Sequence, residues 1–304
     1  MTLAPIIIFV YKRPIETLET LQALAENHLI EESELYIFAD APKLDASTDD
    51  LEKIQKVQEI ISRRSWCKRT EIVRRDTNFG LAQNIIAGVS SIVKKHGKVI
   101  VLEDDIVPNK FFLQYMNQAL DVYRDERKVI SIGACNFFAN DEKVPETFFI
   151  PIPDCWGWAT WNDRWELFEE DGNLLLTQLR ERNLISKFNL LGRYDFEQML
   201  VNQIAGKNNS WAIRWQALAY VNNWLALYPK FSVVKNIGMD ADATHGGQNA
   251  IHLGSVEANG PIHVQKLRVE ESKLAMDLML DSYSRIFSVK KRSMFKFIKG
   301  RFGL

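Results

Sequence analysis

The chain is poor in the features that most quickly assign a protein to a class: cysteine, net charge and long apolar runs. Its three cysteines, Cys67, Cys135 and Cys155, are odd in number and lack metal-type spacing, which argues against a disulfide framework and is typical of a reducing compartment. A formal net charge of −1 gives no general attraction to nucleic acid, so we expect no nucleic-acid partner. The chain has no basic leader and no run of the roughly 18 apolar residues that a membrane span needs, which predicts a cytoplasmic protein.

The first half of the chain alternates between apolar runs and helical patterns. Runs at 5–10, 34–40, 70–75 and 98–105 are typical of buried strands, and segments such as 49–64 between them carry apolar residues at helical spacing. Strands of this kind, separated by helices, predict an α/β fold with a mostly parallel sheet covered on both faces. In such sheets ligands bind beyond the carboxyl ends of the strands.

Charged side chains follow three of these predicted strands. Arg13 follows the first and Asp40 the second, and the triplet Glu103, Asp104 and Asp105 follows the fourth. On a parallel sheet they converge at one edge and form one candidate site. Strand alternation places Glu103 and Asp105 on one side, where carboxylate oxygens would suit Mg²⁺ or Mn²⁺ beside a diphosphate. The alternative is a solvated acidic loop, with Arg13 and Asp40 as ordinary surface and turn residues.

The segments "IIIFVYKRP", "LYIFADAP" and "VIVLEDDIVPNKFF" resemble, in this order, motifs of GT-A glycosyltransferases. Over roughly residues 4 to 250 the chain is similar to the inverting N-acetylglucosaminyltransferases of N-glycan branching and to bacterial sugar-transferase relatives. The resemblance implies a GT-A (Rossmann-like) α/β fold that binds a UDP-sugar and Mn²⁺. By the same resemblance Arg13 and Asp40 would hold the uracil, Glu103 and Asp104 would lie near the ribose and sugar, and Asp105 would bind the metal.

Further segments extend the resemblance to the second half of the chain. Asn84 in "NFGLAQNIIAGV", Trp158 in "CWGW" and Trp211 in "NSWAIRW" would contact the donor, and His245 in "NIGMDADATHGG" would be a metal or phosphate ligand. A turn histidine is the alternative for His245. Seven of the eight tryptophans fall between positions 156 and 224, which predicts a fused aromatic-rich acceptor lobe, although core packing is the commoner role and is expected for most of them.

An inverting transfer needs a carboxylate that takes the proton of the acceptor hydroxyl. Where the family pattern has an aspartate two residues before a tryptophan, this chain has Asn209, which cannot accept a proton at neutral pH. The candidate catalytic carboxylates are therefore Asp195 and Glu197 in "GRYDFEQML" and Asp154 beside the tryptophans. A retaining mechanism and an inactive enzyme remain open.

We expect three segments: a nucleotide-sugar-binding half at 1–135, an acceptor-binding half of the same domain at 136–265, and a C-terminal helical basic tail at 266–304. The stretch 285–304 carries seven Lys and Arg residues and no acid, interleaved with aromatic side chains. This stretch predicts peripheral contact with the anionic inner membrane surface. The alternative is that it docks on the protein's own acidic surface or on a second subunit. The preceding stretch, 264–284, is expected to be a helical spacer.

The sequence thus predicts a metal-dependent transferase that moves a sugar from a nucleotide sugar, with UDP as the nucleotide, to a saccharide or lipid-linked acceptor in cell-surface glycan synthesis. Two alternatives stay open. A sugar-phosphate nucleotidyltransferase would use a similar sheet, but it should carry a glycine-rich phosphate loop where "FVYKRPIETL" has no glycine. A non-catalytic carbohydrate-binding protein would explain Asn209.

Overall fold

The computed structural model describes residues 2–138, 141–238 and 257–285. Within these ranges the strands are β1 (Ile6–Val10), β2 (Glu34–Ala39), β3 (Arg69–Arg74), β4 (Lys98–Glu103), β5 (Ile106–Pro108), β6 (Val129–Gly133), β7 (Thr147–Ile150), β8 (Trp158–Trp161), β9 (Leu225–Pro229) and β10 (Val234–Asn236). The helices are α1 (Pro14–Ala25), α2 (Thr48–Ser62), α3 (Gly80–His96), α4 (Phe112–Val122), α5 (Asn162–Trp165), α6 (Gly172–Glu181), α7 (Ile185–Phe188), α8 (Phe196–Ile204) and α9 (Ala212–Val221). Residues 273–285 are also helical.

Eight of the strands form one sheet in the order β3-β2-β1-β4-β8-β6-β9-β7. The pairs from β3 to β4 are all parallel, as is β6 with β9, whereas β8 and β7 run against their neighbours. Every residue of β1 is buried, which explains why its sequence is continuously apolar rather than alternating. The predicted α/β architecture, a mostly parallel sheet flanked by helices with an aromatic-rich second half, is confirmed.

The tryptophan-rich stretch contributes a central strand as well as a lobe. β8 lies antiparallel between β4 and β6, so Trp158 pairs with Val101 on one side and with Gly133 on the other. Aromatic and β-branched residues in "WATW" suit a pleated strand that is buried on both faces. The helices α5 to α9 follow, and Trp165 of α5 and Trp215 of α9 pack against Trp158. The sheet therefore extends beyond the predicted nucleotide-binding half.

One predicted segment differs in part from the structure. The expected helix at 264–284 is present only from residue 273, since residues 264–272 are not helical, and it packs on the protein through Ala275, Met279 and Leu280 instead of acting as a spacer. Apolar burial holds this segment against the body of the protein.

Two short antiparallel strands bring Gly238 close to the end of β4. β10 pairs with β5 in a sheet of their own, with Asn236 opposite Ile106. The Ile237 backbone N–H donates to the Asp105 carbonyl at 2.9 Å, which carries the chain to Gly238 beside the end of β4. Gly238 is buried there, next to the acidic triplet.

Candidate active site

Arg13 and Asp105 meet at the carboxyl edge of the sheet. β1 and β4 are neighbouring parallel strands with Phe9 opposite Glu103, so the residues that follow them emerge side by side. The Arg13 guanidinium donates from Nη1 to Asp105 Oδ2 at 2.5 Å, and the two side chains are 21% and 15% exposed. A Cβ on Gly238 would overlap the Asp105 carboxylate and the Arg13 guanidinium, so only glycine fits there. We call Arg13, Glu103, Asp104, Asp105 and Gly238 the acidic corner.

The acidic corner holds more carboxyl groups than its one arginine could balance if all of them were ionised. Burial raises the pKa of Asp104 to about 8, and Asp105 adds to the rise while Arg13 opposes it. Burial, followed by the charges of Asp105 and Asp104, raises the pKa of Glu103 well above its usual value. Burial alone would lower the pKa of Arg13, but Asp104 and Asp105 reverse that effect and raise it. Three carboxyl groups around one guanidinium are electrostatically under-compensated, which favours a further cation.

The chemistry of this corner fits a hard divalent cation. Glu103 and Asp105 offer carboxylate oxygens, the ligands that Mg²⁺ and Mn²⁺ prefer. Among residues 2–138, 141–238 and 257–285, however, no three His, Cys, Asp or Glu side chains gather as a metal-ligand group. His245, the third predicted ligand, lies outside the described residues. The metal therefore stays a prediction that the donor set supports.

Asp40, predicted to hold the uracil, caps the N-terminus of α3 by accepting hydrogen bonds from its first backbone N–H groups. Its Oδ1 accepts hydrogen bonds from the backbone N–H groups of Ala41 at 3.0 Å and Phe79 at 2.8 Å. Its Oδ2 accepts from the Gly80 backbone N–H at 2.8 Å and from the Asn78 amide at 3.2 Å. Four bonds use the accepting capacity of both oxygens, so the structure gives Asp40 a capping role. Its contact with a base remains a prediction.

Arg75, which follows β3, was missed by the sequence analysis. Its guanidinium lies over the Phe79 ring at 4.5 Å and over the Phe38 ring at 5.0 Å, and Nε donates to Asn84 Oδ1 at 2.8 Å. Nη2 is buried and has no hydrogen-bond partner among the described residues. Burial lowers the pKa of Arg75, against the opposing charge of Asp40. Asn84, predicted to contact the sugar donor, thus orients Arg75, whose Nη2 is an N–H group without a hydrogen-bond partner among the described residues.

The position of Arg75 carries a sequence signal. It is the last residue of the predicted strand at 70–75, and Phe79 lies four residues later, where the chain turns into α3. An arginine placed after a parallel strand and close to an aromatic residue is a candidate for an anionic or planar ligand.

Asp154 lies at the same edge as the acidic corner, on the far side of β4. Because β8 is antiparallel to β4 with Trp158 opposite Val101, the residues before Trp158 run alongside the residues after Leu102. Asp154 is 9% exposed, and its Oδ2 has no hydrogen-bond partner among the described residues, while Oδ1 accepts from the Cys155 backbone N–H at 2.7 Å. Burial raises the pKa of Asp154 to about 7. A carboxylate with this pKa and a free oxygen suits a general base.

The other two candidate bases are engaged elsewhere. Asp195 caps α8 by accepting from the Gln198 backbone N–H at 2.9 Å. Glu197 accepts from Arg180 Nε at 3.0 Å and from its Nη2 at 2.8 Å on the outer surface. Each has an ordinary stabilising role, so Asp154 is the best placed of the three.

The two predicted donor tryptophans pack against each other. Trp158 and Trp211 are 1% and 3% exposed, and their rings stack with centroids 5.0 Å apart. Trp165 and Trp215 complete the cluster, with Trp165 Nε1 donating to Ser90 on α3. Their contact with a donor stays a prediction, and the structure shows them as core. Asn209 is exposed in the loop before α9.

No protein-family model matches the chain, and no curated protein matches it. Among solved structures, the chain is similar to residues 1–349 of S. aureus TarS, at 15% identity over 59% of this chain and 48% of that one, with a TM-score of 0.33. The mannosyltransferase PcManGT from Pyrobaculum calidifontis, in complex with GDP-Man and Mn²⁺, matches at 9% identity over 72% and 68%, with a TM-score of 0.37. Mouse xyloside xylosyltransferase 1 matches at 8% over 63% and 76%, with a TM-score of 0.35.

These likenesses are partial. The chain spans 23% of a longer TarS structure and 48% of the shorter one. With identities under 25% and TM-scores under 0.5, they carry no argument about the residues of the site. What the site does has to be argued from its own geometry.

Proposed function

We propose that the protein is a nucleotide-sugar-dependent glycosyltransferase whose acidic corner binds the donor's diphosphate through a divalent cation. The observation that carries the proposal is the set of three under-compensated carboxyl groups at the carboxyl edge of a parallel sheet, beside Arg13. Ligands of such sheets bind at this edge. Mn²⁺ or Mg²⁺ would be held by Glu103 and Asp105, with His245 as a third ligand, and would neutralise the leaving diphosphate.

The chain's own residues supply the rest of the chemistry. Arg13 sits where it can pair with the donor's phosphates when it releases Asp105, and Arg75 offers a second guanidinium beyond β3. Asp154 takes the proton from the acceptor hydroxyl while the oxygen of that hydroxyl attacks the anomeric carbon of the donor sugar, which inverts the configuration at that carbon. We further propose UDP as the nucleotide and a saccharide or lipid-linked acceptor in cell-surface glycan synthesis.

The two alternatives differ from this proposal at particular residues. A sugar-phosphate nucleotidyltransferase needs a phosphate loop, but β1 passes into α1 through Tyr11 to Arg13, with Pro14 as the first helical residue. A non-catalytic binding protein is motivated by Asn209, but Asp154 offers a buried carboxylate that can replace the missing base. Transfer therefore accounts for more of the site than binding alone.

The location in the cell remains a proposal as well. No helix in the described part of the chain is long and apolar enough to cross a bilayer. Of the basic stretch 285–304, which we propose to contact an anionic membrane surface, only Arg285 is among the described residues.

The experiment that tests the function is the release of nucleoside diphosphate from UDP-glucose, UDP-galactose, UDP-N-acetylglucosamine and GDP-mannose, with and without Mn²⁺. We expect release from at least one UDP-sugar, and loss of release when EDTA removes the metal. Release that is indifferent to EDTA would contradict the role of the metal. No release and no binding of any of these donors would contradict the transferase.

A further inference from the structure

Asp154 lies near a group of aromatic side chains that come from distant parts of the chain. Its charge acts on the Tyr228 and Tyr283 hydroxyls, and the Trp156 backbone contributes a hydrogen bond to its carboxylate. Phe137 follows β6, Trp156 and Tyr228 come from the neighbouring strands and loop, and Tyr194 precedes α8. The Phe137 ring lies 5.3 Å from Trp156 and 6.5 Å from Tyr228, between ring centroids. We call these four residues and Tyr283 the aromatic collar.

Tyr283 reaches the collar from the C-terminal helix. The preceding residue, Ser282, donates from Oγ to the Phe137 carbonyl at 2.7 Å, which fixes this turn of the helix against the loop after β6. The Tyr283 ring lies 6.0 Å from Tyr194, between centroids. Burial raises the pKa of the Tyr283 hydroxyl, and the charge of Asp154 is the next largest cause, which places the two groups close together. The helix at 273–285 is therefore part of this site.

The collar presents aromatic surface next to a carboxylate. Trp156, Tyr194 and Tyr283 are partly exposed, whereas the tryptophans stacked in the core are not. Partly exposed aromatic faces pack against the apolar C–H faces of pyranose rings. Asp154 Oδ2 is buried and has no hydrogen-bond partner among the described residues, so a sugar hydroxyl that reached it would satisfy an acceptor whose isolation costs free energy.

The charge of the surroundings selects the kind of sugar. Asp154, which is ionised when it acts as a base, would itself repel a carboxylate or phosphate on the ligand. An uncharged pyranose avoids this cost and still uses its C–H face and its hydroxyls. The collar is suited to neutral saccharides.

We propose that the aromatic collar is the acceptor subsite, that it binds an uncharged pyranose over Asp154, and that Tyr283 of the C-terminal helix is one of its specificity-determining residues. This inference deepens the proposed transferase and rests on it for the direction of transfer. The binding of a neutral saccharide can be tested by itself.

The test uses the full chain and a panel of methyl glycosides of glucose, galactose, mannose and N-acetylglucosamine. Saturation-transfer NMR, with and without UDP and Mn²⁺, reports which ring protons touch the protein. We expect at least one glycoside to be saturated on its C–H face by the wild-type protein, and Tyr283→Ala to weaken its binding about tenfold, as loss of an aromatic stacking partner does. Tyr283→Phe keeps the ring and should stay within about twofold of wild type.

The matched control is Asp281→Ala, an exposed position two residues away on the same helix, which should bind glycosides like wild type. If Tyr283→Ala does not melt cooperatively, Trp156→Leu replaces it with the same expected loss. Undiminished glycoside binding in the ring-deleted variant, or no glycoside binding by the wild type, would overturn the inference. Glycoside binding without any UDP binding would support the collar and contradict the proposed function, so the two failures are distinguishable.

Discussion

The acidic corner and the aromatic collar lie on the same edge of one sheet but are built in different ways. The corner is made by residues directly after two neighbouring strands, and Arg13 neutralises part of its charge. The collar gathers its residues from five separate segments, and its carboxylate, Asp154, lacks a partner for one oxygen among the described residues. Under the proposed function the two regions divide the work: Asp105, paired with Arg13, would hold the metal, and Asp154 would take the proton.

The largest expected effect tests that division at Asp154. Asp154→Asn keeps the shape but cannot accept a proton, so the rate of nucleoside diphosphate release should fall by about 10²- to 10⁴-fold while UDP affinity holds. Asp121→Asn, a surface residue paired with Arg124, is the control and should change neither quantity. A rate lost in Asp195→Asn or Glu197→Gln but kept in Asp154→Asn would contradict the assignment.

The same residue predicts a pH dependence with two opposite consequences. Burial raises the pKa of Asp154 from 3.8 to about 7, so the ionised, reactive form increases as the pH rises through 7, and the rate should follow. The folded state favours the protonated form of Asp154. The stability that this preference contributes is therefore full below the pKa that Asp154 has in the unfolded chain, and it is lost as the pH rises through about 7.

Replacing this carboxyl should therefore stabilise the fold at high pH. At pH 8.5, Asp154→Asn should unfold at a higher temperature than wild type. Its free energy of unfolding should be greater by at most about 4 kcal/mol, and the gain should be smaller at pH 5. Thermal melts at both values measure this. A rate that is flat between pH 5.5 and 8.5, together with equal melting of both proteins, would show that Asp154 titrates normally.

The next effect concerns a residue that the sequence places in the donor site and the structure uses as a cap. Asp40→Ala removes four hydrogen bonds at the start of α3, and should lower the free energy of unfolding by about 2 kcal/mol. Ser47→Ala, which removes one exposed cap bond from α2, should cost less. Urea unfolding compares them. An unchanged stability combined with lost UDP binding would make Asp40 a ligand and not a cap.

The smallest expected effect tests the packing of the corner. Gly238→Ala would force the Arg13–Asp105 pair apart, so UDP affinity in Mn²⁺ should fall about tenfold, since displacement by about 1 Å degrades a positioned contact. Gly260→Ala is the matched control, because its new methyl group would meet no atom within 4 Å. Calorimetry measures both. Equal losses in the two variants would point to a general effect of alanine and not to the corner.

The contrast also explains which features were predictable from the sequence. The corner follows from local signals: apolar runs mark β1 and β4, and the charge comes directly after each. The capping bonds of Asp40 were not predicted, because a strand-end aspartate has the same sequence signal whether or not it also caps the helix after the next strand. The insertion of β8 beside β4 has no local signal, because only tertiary pairing decides it.

The collar was beyond prediction for a related reason. Asp154 was one of three candidate carboxylates, and sequence alone could not show that Asp195 and Glu197 are engaged in capping and pairing. Tyr283 lay in a stretch interpreted as a spacer, although its helix packs on the protein. Long-range packing, rather than any motif, brings these groups together.

The central claim is that a divalent cation bridges the acidic corner and a nucleotide diphosphate. Electron paramagnetic resonance of Mn²⁺ measures this directly, since bound and free ions give different signals. Addition of UDP to wild-type protein and Mn²⁺ should convert one equivalent of ion to the bound form, and Asp105→Asn should weaken that uptake by about a hundredfold, as loss of a coordinating carboxylate does. Uptake that is independent of UDP, or equally strong in the Asp105→Asn protein, would contradict the account.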